Sequence, residues 1–209
     1  MKKMLIVMLV ALCAVYSVNA VGAEFGIKAG VTMGNVVWGE DNEISDFDQD
    51  SFRAGLTGGL MMEIPFGPIS IGAELLYTQK GEKFDLFSES LTHAAPVVTA
   101  KLDYIEVPVM AKLGLLPILK VYGGVSYGFL AKEEMYVEYN GESESVTVKE
   151  FTGLDPATTE FGAIVGAQLK LSKLVFDVRY SHGLTDILQD NPGKAAYLRT
   201  LSGTIGITF

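Results

Sequence analysis

Three aspartates at alternate positions are the first residues in this sequence that suggest a ligand. Asp46, Asp48 and Asp50 lie in the acidic segment GEDNEISDFDQDS and have the opening spacing of a calcium-binding loop. Such a loop has Gly at its sixth position and Glu at its twelfth, whereas Ser51 and Thr57 stand there. The segment therefore indicates either a weak calcium site or a solvated acidic loop, and we favour the acidic loop.

The histidines are the other residues that could bind a metal. His93 and His182 both fall in segments that we interpret as loops, with Asp186 near the second one. Solvated loop residues are the preferred interpretation. Ser181 precedes His182, but adjacent strand residues point in opposite directions, so the pair does not predict a catalytic dyad.

The only cysteine is Cys13. No pattern indicates a catalytic site or a cofactor, and we predict that the protein is not an enzyme.

A larger set of charged residues alternates with apolar ones. In the stretch KLDYIEVPVMAKL, residues 101–113, Glu106 and Lys112 share one face of a predicted strand and branched aliphatic residues share the other. Either the apolar face meets a protein core, or it meets lipid and the charges point into a barrel. Five acids and five bases occupy such positions: Lys28, Arg53, Glu63, Glu74, Glu106, Lys112, Glu160, Lys170, Asp177 and Arg179.

Inside a narrow barrel, these charges would have to pair, because an unpaired buried charge is costly. The equal count of acids and bases supports pairing. We predict a structural charge network, and a proton or ion path through Glu106 is the alternative. Glu106 is expected to pair with a Lys or Arg from one of the two neighbouring strands.

Eight alternating runs would position these residues. They cover residues 24–37, 51–64, 68–80, 101–113, 120–130, 158–171, 174–181 and 196–209. The connections alternate between tight and long, which is typical of an all-β, eight-stranded, antiparallel up-and-down transmembrane β-barrel. Asn140-Gly141 in the third long connection favours a hairpin, so that the strands beside it would project beyond the membrane.

Charge follows the same division between wall and loops. The full chain has a net charge of −9. The four long connections, 38–50, 81–99, 131–157 and 182–195, hold 18 acids and 4 Lys or Arg. One end of the molecule is therefore strongly acidic, which argues against nucleic-acid binding. Membrane lipid is an expected partner, and envelope proteins could contact the acidic loops. We expect a monomer.

The N-terminal segment has the layout of a signal peptide. Two lysines precede an apolar run, and small residues place cleavage after Ala20 or Ala23. Residues 1–20 are the predicted signal peptide and residues 24–209 the barrel domain. A secreted barrel with lipid-sized apolar faces predicts the bacterial outer membrane. Aromatic residues near the strand ends would form interfacial girdles: Phe25, Phe52, Tyr77, Tyr104, Phe129, Tyr180, Tyr197 and Phe209.

One residue conflicts with a regular barrel wall. Pro108 lies in the middle of the predicted fourth strand, and proline has no N–H to donate to a ladder. We predict a bulge or a locally broken pairing there.

Three motifs resemble those of a known family. YTQKG at 77–81, LDYIEVP at 102–108 and RYSHGLTDI at 179–187 are similar, in order and spacing, to the PorT-like outer-membrane β-barrel family, often labelled "porin family". The resemblance implies an eight-stranded outer-membrane barrel and, for most members, no defined activity. One branch of that family works in protein secretion.

Three functions remain open. The preferred hypothesis is an integral outer-membrane barrel with a plugged polar lumen and acidic extracellular loops, which has a structural or interaction role. A narrow transport channel or a component of a protein-secretion system is the alternative. A soluble, lipocalin-like binding barrel is the third.

Overall fold

The structure is a computed structural model, and it describes residues 22–38, 53–85, 97–139, 142–146, 157–186 and 196–209. These residues form nine β-strands. Their bounds are β1 Glu24–Trp38, β2 Arg53–Phe66, β3 Ile69–Asp85, β4 Val97–Leu116, β5 Leu119–Tyr139, β6 Glu142–Val146, β7 Thr159–Leu171, β8 Leu174–Gly183 and β9 Ala196–Thr208. Within this described part of the chain, no helix is long and apolar enough to cross a membrane.

Eight of the strands close into a barrel. The antiparallel sheet runs in the order β4-β3-β2-β1-β9-β8-β7-β5, and pairing of β4 with β5 joins its two ends. Closure leaves no free edge in the wall, which every strand inside a bilayer requires. The short β6 pairs with the far end of β5 and lies outside this ring. The predicted eight-stranded antiparallel barrel is confirmed.

Three two-residue turns lie at one end of the barrel, which we call the turn end. They join β2 to β3, β4 to β5 and β7 to β8. Gly67 and Ser172 adopt positive φ angles of 69° and 57° in the first and third turns. The opposite end, which we call the loop end, carries the long connections. The predicted alternation of tight and long connections is therefore correct.

The predicted strand ends are wrong on one side of the barrel. β3 continues to Asp85, β4 begins at Val97 and β5 continues to Tyr139, so ladder pairing extends into segments predicted as loops. Beyond the membrane, polar side chains can face water on both sides of a sheet, so the alternating pattern fades while backbone pairing continues. The expected projecting hairpin is present as β5 paired with β6.

Exposure alternates along each strand as expected for a membrane barrel. Large apolar side chains cover the outer wall, and Leu56, Val165 and Ile205 are each 56–62% exposed on it. The residues between them point inward and are buried, many of them charged. The apolar face therefore meets lipid, and the polar face points into the barrel.

Pairing is interrupted at Pro108, as predicted. The β3–β4 ladder pairs Ala73 with Val109 and Leu76 with Glu106, but it skips Val107 and Pro108. The register is the same on both sides of the gap, so the ladder is broken there without a bulge. Pairing with β5 is regular at Pro108, and the two irregularities of the β4–β5 ladder lie elsewhere.

Candidate functional site

A central group of four charges crosses the lumen at mid-height. We call Lys28, Glu74, Asp177 and Arg179 the central cluster. The ammonium Nζ of Lys28 lies 3.0 Å from Glu74 Oε1 and 3.3 Å from Asp177 Oδ1. Arg179 Nη2 lies 2.8 Å from Glu74 Oε2 and 3.7 Å from Asp177 Oδ1. Each charge thus contacts both charges of the opposite sign, and the cluster is neutral.

The central cluster links opposite walls directly. Glu74 is on β3 and Arg179 is on β8, which are four strands apart in either direction around the ring. Tyr122, from β5, donates its hydroxyl to Asp177 Oδ2 at 2.8 Å and accepts a bond from Arg179 Nε at 3.1 Å. These bonds hold each charged group by more than one contact, as buried ion pairs need.

A second group lies nearer the loop end. We call Lys80, Glu106 and Glu160 the loop-end cluster. Lys80 Nζ is 2.5 Å from Glu106 Oε1 and 2.8 Å from Glu160 Oε2. The ammonium also lies 5.4 Å from the ring centroid of Tyr104, a cation–π distance. Two carboxylates therefore share one lysine among these three groups. Tyr104 is 1% exposed, so its assignment to the lipid-facing girdle was wrong.

A third group lies at the turn end. We call Glu63, Lys112 and Lys120 the turn-end cluster. Glu63 pairs with Lys112 at 3.0 Å and also with Lys120, and it accepts a hydrogen bond from Ser70 at 2.7 Å. Lys112 also donates to Gln168 Oε1 at 2.5 Å. This cluster joins strands β2, β4, β5 and β7.

Two glycines leave space for the long lumen side chains. A Cβ at Gly72 would lie 2.7 Å from Cε of Lys112, and one at Gly166 would collide with the hydroxyl end of Tyr122. A Cβ at Gly166 would also meet the backbone oxygen of Val178, so glycine is required there for the Tyr122 ring, whereas the flexible Lys112 stem could shift away from a Cβ at Gly72.

The structure brings most of the ten predicted charges into these clusters. The exceptions are Lys170, which pairs with Glu24 near the turn end, and Arg53. Arg53 begins β2 opposite Gly34, and its side chain lies outside the described part of the structure. The predicted charge network omitted Lys80 and Lys120, although period-two alternation along β3 places Lys80 on the same face as Glu74.

The predicted metal-binding residues divide into two groups. Asp46, Asp48, Asp50 and His93 lie outside the described residues. His182 lies in strand β8, not in a loop, and its Nδ1 is 3.3 Å from the Tyr180 hydroxyl. Within the described ranges, no three His, Cys, Asp or Glu side chains are grouped to hold a metal ion.

A family model for the outer membrane protein beta-barrel domain matches residues 19–189 of this chain. The chain belongs to this family. It is a β-barrel of the bacterial outer membrane, and its apolar wall contacts the lipid bilayer. In such barrels the tight turns are periplasmic and the long connections are extracellular.

Among solved outer-membrane barrels that are similar to this chain, Neisserial surface protein A (NspA) shares its fold. NspA is 14% identical, with a TM-score of 0.52 over 90% of this chain and 99% of its own. Ail, the attachment invasion locus protein of Yersinia pestis, is 18% identical, with a TM-score of 0.48 over 90% and 99% of the two chains. OprG of Pseudomonas aeruginosa is 11% identical, with a TM-score of 0.42 over 90% and 96%. A comparison with curated protein sequences finds no match.

Proposed function

We propose that this barrel is closed to dissolved solutes and serves as an anchor that presents an acidic extracellular surface. The bond between Arg179 and Glu74 carries the first half of the proposal. It joins strands on opposite sides of an eight-stranded ring, whose interior is only wide enough for side chains. Side chains that meet across the full width support a lumen without a continuous aqueous channel.

Ion pairs at three heights support a lumen that is plugged along its length. The central, loop-end and turn-end clusters each join strands that are not neighbours in the ring. A solute would have to break buried pairs at each height. Removing one partner from a buried pair costs about 3–5 kcal/mol.

The acidic loop end carries the second half of the proposal. The long connections hold 18 acids against 4 Lys or Arg, and β3, β4 and β5 extend the sheet on this side. Like charges concentrated on one surface attract cationic partners and repel anionic ones. We propose that this surface contacts cationic groups of envelope proteins or divalent ions.

Two finer assignments belong to the same proposal. The motifs at 77–81, 102–108 and 179–187 support membership of the PorT-like family, and residues 1–20 would be removed as a signal peptide. No described feature favours the secretion role of one branch over the anchoring role.

Liposome swelling tests the closed lumen. The purified protein is refolded into liposomes loaded with dextran, which are then diluted into isotonic arabinose. We expect a swelling rate equal to that of protein-free liposomes, with a wide porin as the positive control. Swelling at a porin-like rate would contradict the proposal.

Binding of polylysine tests the acidic surface. The barrel in lipid nanodiscs should bind polylysine, and binding should weaken steeply as salt rises, because exposed charges are screened. The matched variant replaces Glu142 and Glu144 of β6 with Gln. Equal binding of polylysine and polyglutamate would count against this half of the proposal.

A further inference from the structure

A row of three polar side chains crosses the outer wall of the barrel near the loop end. Asn35 on β1 pairs with Arg199 on β9, and Arg199 pairs with His182 on β8. Residues directly opposite each other in an antiparallel ladder have Cα atoms about 4.5–5.5 Å apart, so these side chains are neighbours on one face of the sheet. We call the three residues the outer polar row. None of them belongs to the ion clusters of the lumen.

The outer polar row faces away from the lumen. Leu198 and Thr200 flank Arg199 in β9, and both are buried inside the barrel, whereas Leu201 is exposed on the wall that meets lipid. Because side chains alternate along a strand, Arg199 shares the outer face with Leu201, and its two ladder partners do so too. Strand β8 ends one residue after His182. The row therefore lies where the apolar wall ends on the loop side.

The hydrogen bonds of the outer polar row are incomplete. The side-chain oxygen of Asn35, which is 9% exposed, and the Nε of Arg199 are both buried without a hydrogen-bond partner. Among the residues that the structure describes, no ion pair includes Arg199. A guanidinium is always charged, and a partly buried charge is stabilised by a counter-charge. An anion that contacts the row would supply it.

His182 adds a second donor beside Arg199. Its Nδ1 lies 3.3 Å from the hydroxyl of Tyr180, and the two rings lie against each other with centroids 6.3 Å apart. This contact orients the imidazole on the wall. An imidazole has two ring nitrogens, so Nε2 can donate a hydrogen bond to another group, and a protonated ring adds a positive charge to the row.

We propose that the outer polar row binds the phosphate of an anionic membrane lipid. The guanidinium of Arg199 presents N–H donors in a planar fork that matches phosphate oxygens. Lipid headgroups lie at the border of the hydrocarbon layer, and basic side chains at that border attract anionic lipids. Leu201 and Met33, both exposed on the same wall next to the row, would contact the acyl chains of the bound lipid.

The acidic connections at the loop end act against this binding from a distance. Salt screens their repulsion over about 10 Å at 0.1 M, whereas a bound phosphate contacts the guanidinium directly. The outer polar row therefore provides a local cationic site on a side of the protein that otherwise repels anions.

The opposite side of the barrel provides a matched control. Near the loop end there, Asp103 on β4 pairs in the ladder with Lys132 on β5, and it accepts a hydrogen bond from the hydroxyl of Tyr77. A carboxylate beside the lysine repels phosphate. Lys132→Gln therefore removes the same unit of charge from the loop side as Arg199→Gln does, but away from the proposed site.

Native mass spectrometry in dodecyl maltoside, a detergent without phosphate, measures lipid binding to the purified barrel. The probe is dipalmitoyl phosphatidic acid. The wild-type protein should bind it, and Arg199→Gln should bind it at least about tenfold more weakly, as expected for the loss of a charge-assisted hydrogen bond. Lys132→Gln should bind it like the wild-type protein. Equal binding by the wild-type protein and Arg199→Gln would overturn the proposal.

Asn35→Asp distinguishes the lipid site from a row that bonds only internally. The new carboxylate would lie beside Arg199 in the ladder and supply its counter-charge from within the protein. Binding of phosphatidic acid should then fall about as far as in Arg199→Gln, while resistance to urea should stay the same or rise. Unchanged lipid binding by this folded variant would contradict the proposal.

Inorganic phosphate separates a lipid site from a site for a free anion. Because the acyl chains add contacts with Leu201 and Met33, inorganic phosphate at the same concentration should leave phosphatidic acid bound to the wild-type protein. Displacement of the lipid by inorganic phosphate would assign the row to a free anion and would overturn the lipid site.

Discussion

The central cluster and the loop-end cluster both neutralise buried carboxylates in the lumen, but with different ratios of cations to carboxylates. In the central cluster, Lys28 and Arg179 face Glu74 and Asp177, so two cations meet two carboxylates. In the loop-end cluster, one lysine holds two carboxylates. A neutral, multiply bonded group bridges opposite walls, whereas both carboxylates of the loop-end cluster pair with a single lysine.

That single residue gives the largest predicted effect. Lys80→Met leaves Glu106 and Glu160 close together without their shared cation, and we expect a loss of about 3–5 kcal/mol in the free energy of unfolding. The loss should be greatest at alkaline pH and should shrink as pH falls, because protonated carboxyls need no counter-charge. Urea titrations at pH 8 and pH 5 measure it. A loss that does not depend on pH would show that the two carboxylates are not what Lys80 stabilises.

The matching change in the central cluster should cost less and depend less on pH. Arg179→Met leaves Lys28 to neutralise part of the charge of Glu74 and Asp177, so we expect a loss of about 3 kcal/mol. Lys173→Met is the control, because Lys173 is an exposed cation in the turn between β7 and β8 and should cost under about 0.5 kcal/mol. If Arg179→Met destabilises the protein no more than Lys173→Met does, the central cluster is not a buried ionic bridge.

Removing one carboxylate distinguishes the clusters again. Glu106→Gln takes one charge from the group with an excess of carboxylates, while Glu160 keeps its bond to Lys80. We expect a loss of about 1 kcal/mol and no large channel. Glu74→Gln should cost at least twice as much, since Glu74 bonds both central cations. If Glu106→Gln destabilises the protein more than Glu74→Gln does, the ratio of cations to carboxylates does not determine how much each carboxylate contributes to stability.

The smallest effect is expected where an ion pair meets solvent. Lys170 and Glu24 pair near the turn end, with side chains 22% and 42% exposed. Solvent and salt screen such pairs, so Lys170→Gln should cost less than about 1 kcal/mol. The same urea titration provides the value. A loss as large as that of Arg179→Met would show that depth in the lumen does not set the strength of these pairs.

The sequence predicted the wall well because a barrel strand has a strict period of two. Parity alone places Glu106 and Ile105 on opposite faces of the strand, and apolar faces tall enough to span a bilayer indicated that Ile105 points outward. Parity cannot predict which strand ends continue beyond the membrane, where both faces of a sheet can be polar. This is why the extension of β3 was missed, whereas Asn140-Gly141 indicated the projecting hairpin at the end of β5.

The sequence could not predict which charged residues form ion pairs inside the lumen, except that Glu106 would pair with a residue of a neighbouring strand. Lys80 does pair with Glu106 from the neighbouring strand β4, yet the residue opposite Lys80 in the ladder is Leu102. The pairing of Arg179 with Glu74 depends on which strands face each other after closure. Both follow from strand tilt and side-chain length, which a linear pattern does not contain.

Single-channel recording in planar bilayers tests the central claim most directly, since it measures whether ion pairs across the lumen close the barrel. The wild-type protein should show conductance far below that of a wide porin. The double variant Glu74→Ala and Arg179→Ala, which removes the bond between opposite walls, should show more frequent small openings. Porin-like conductance of the wild-type protein would contradict the account.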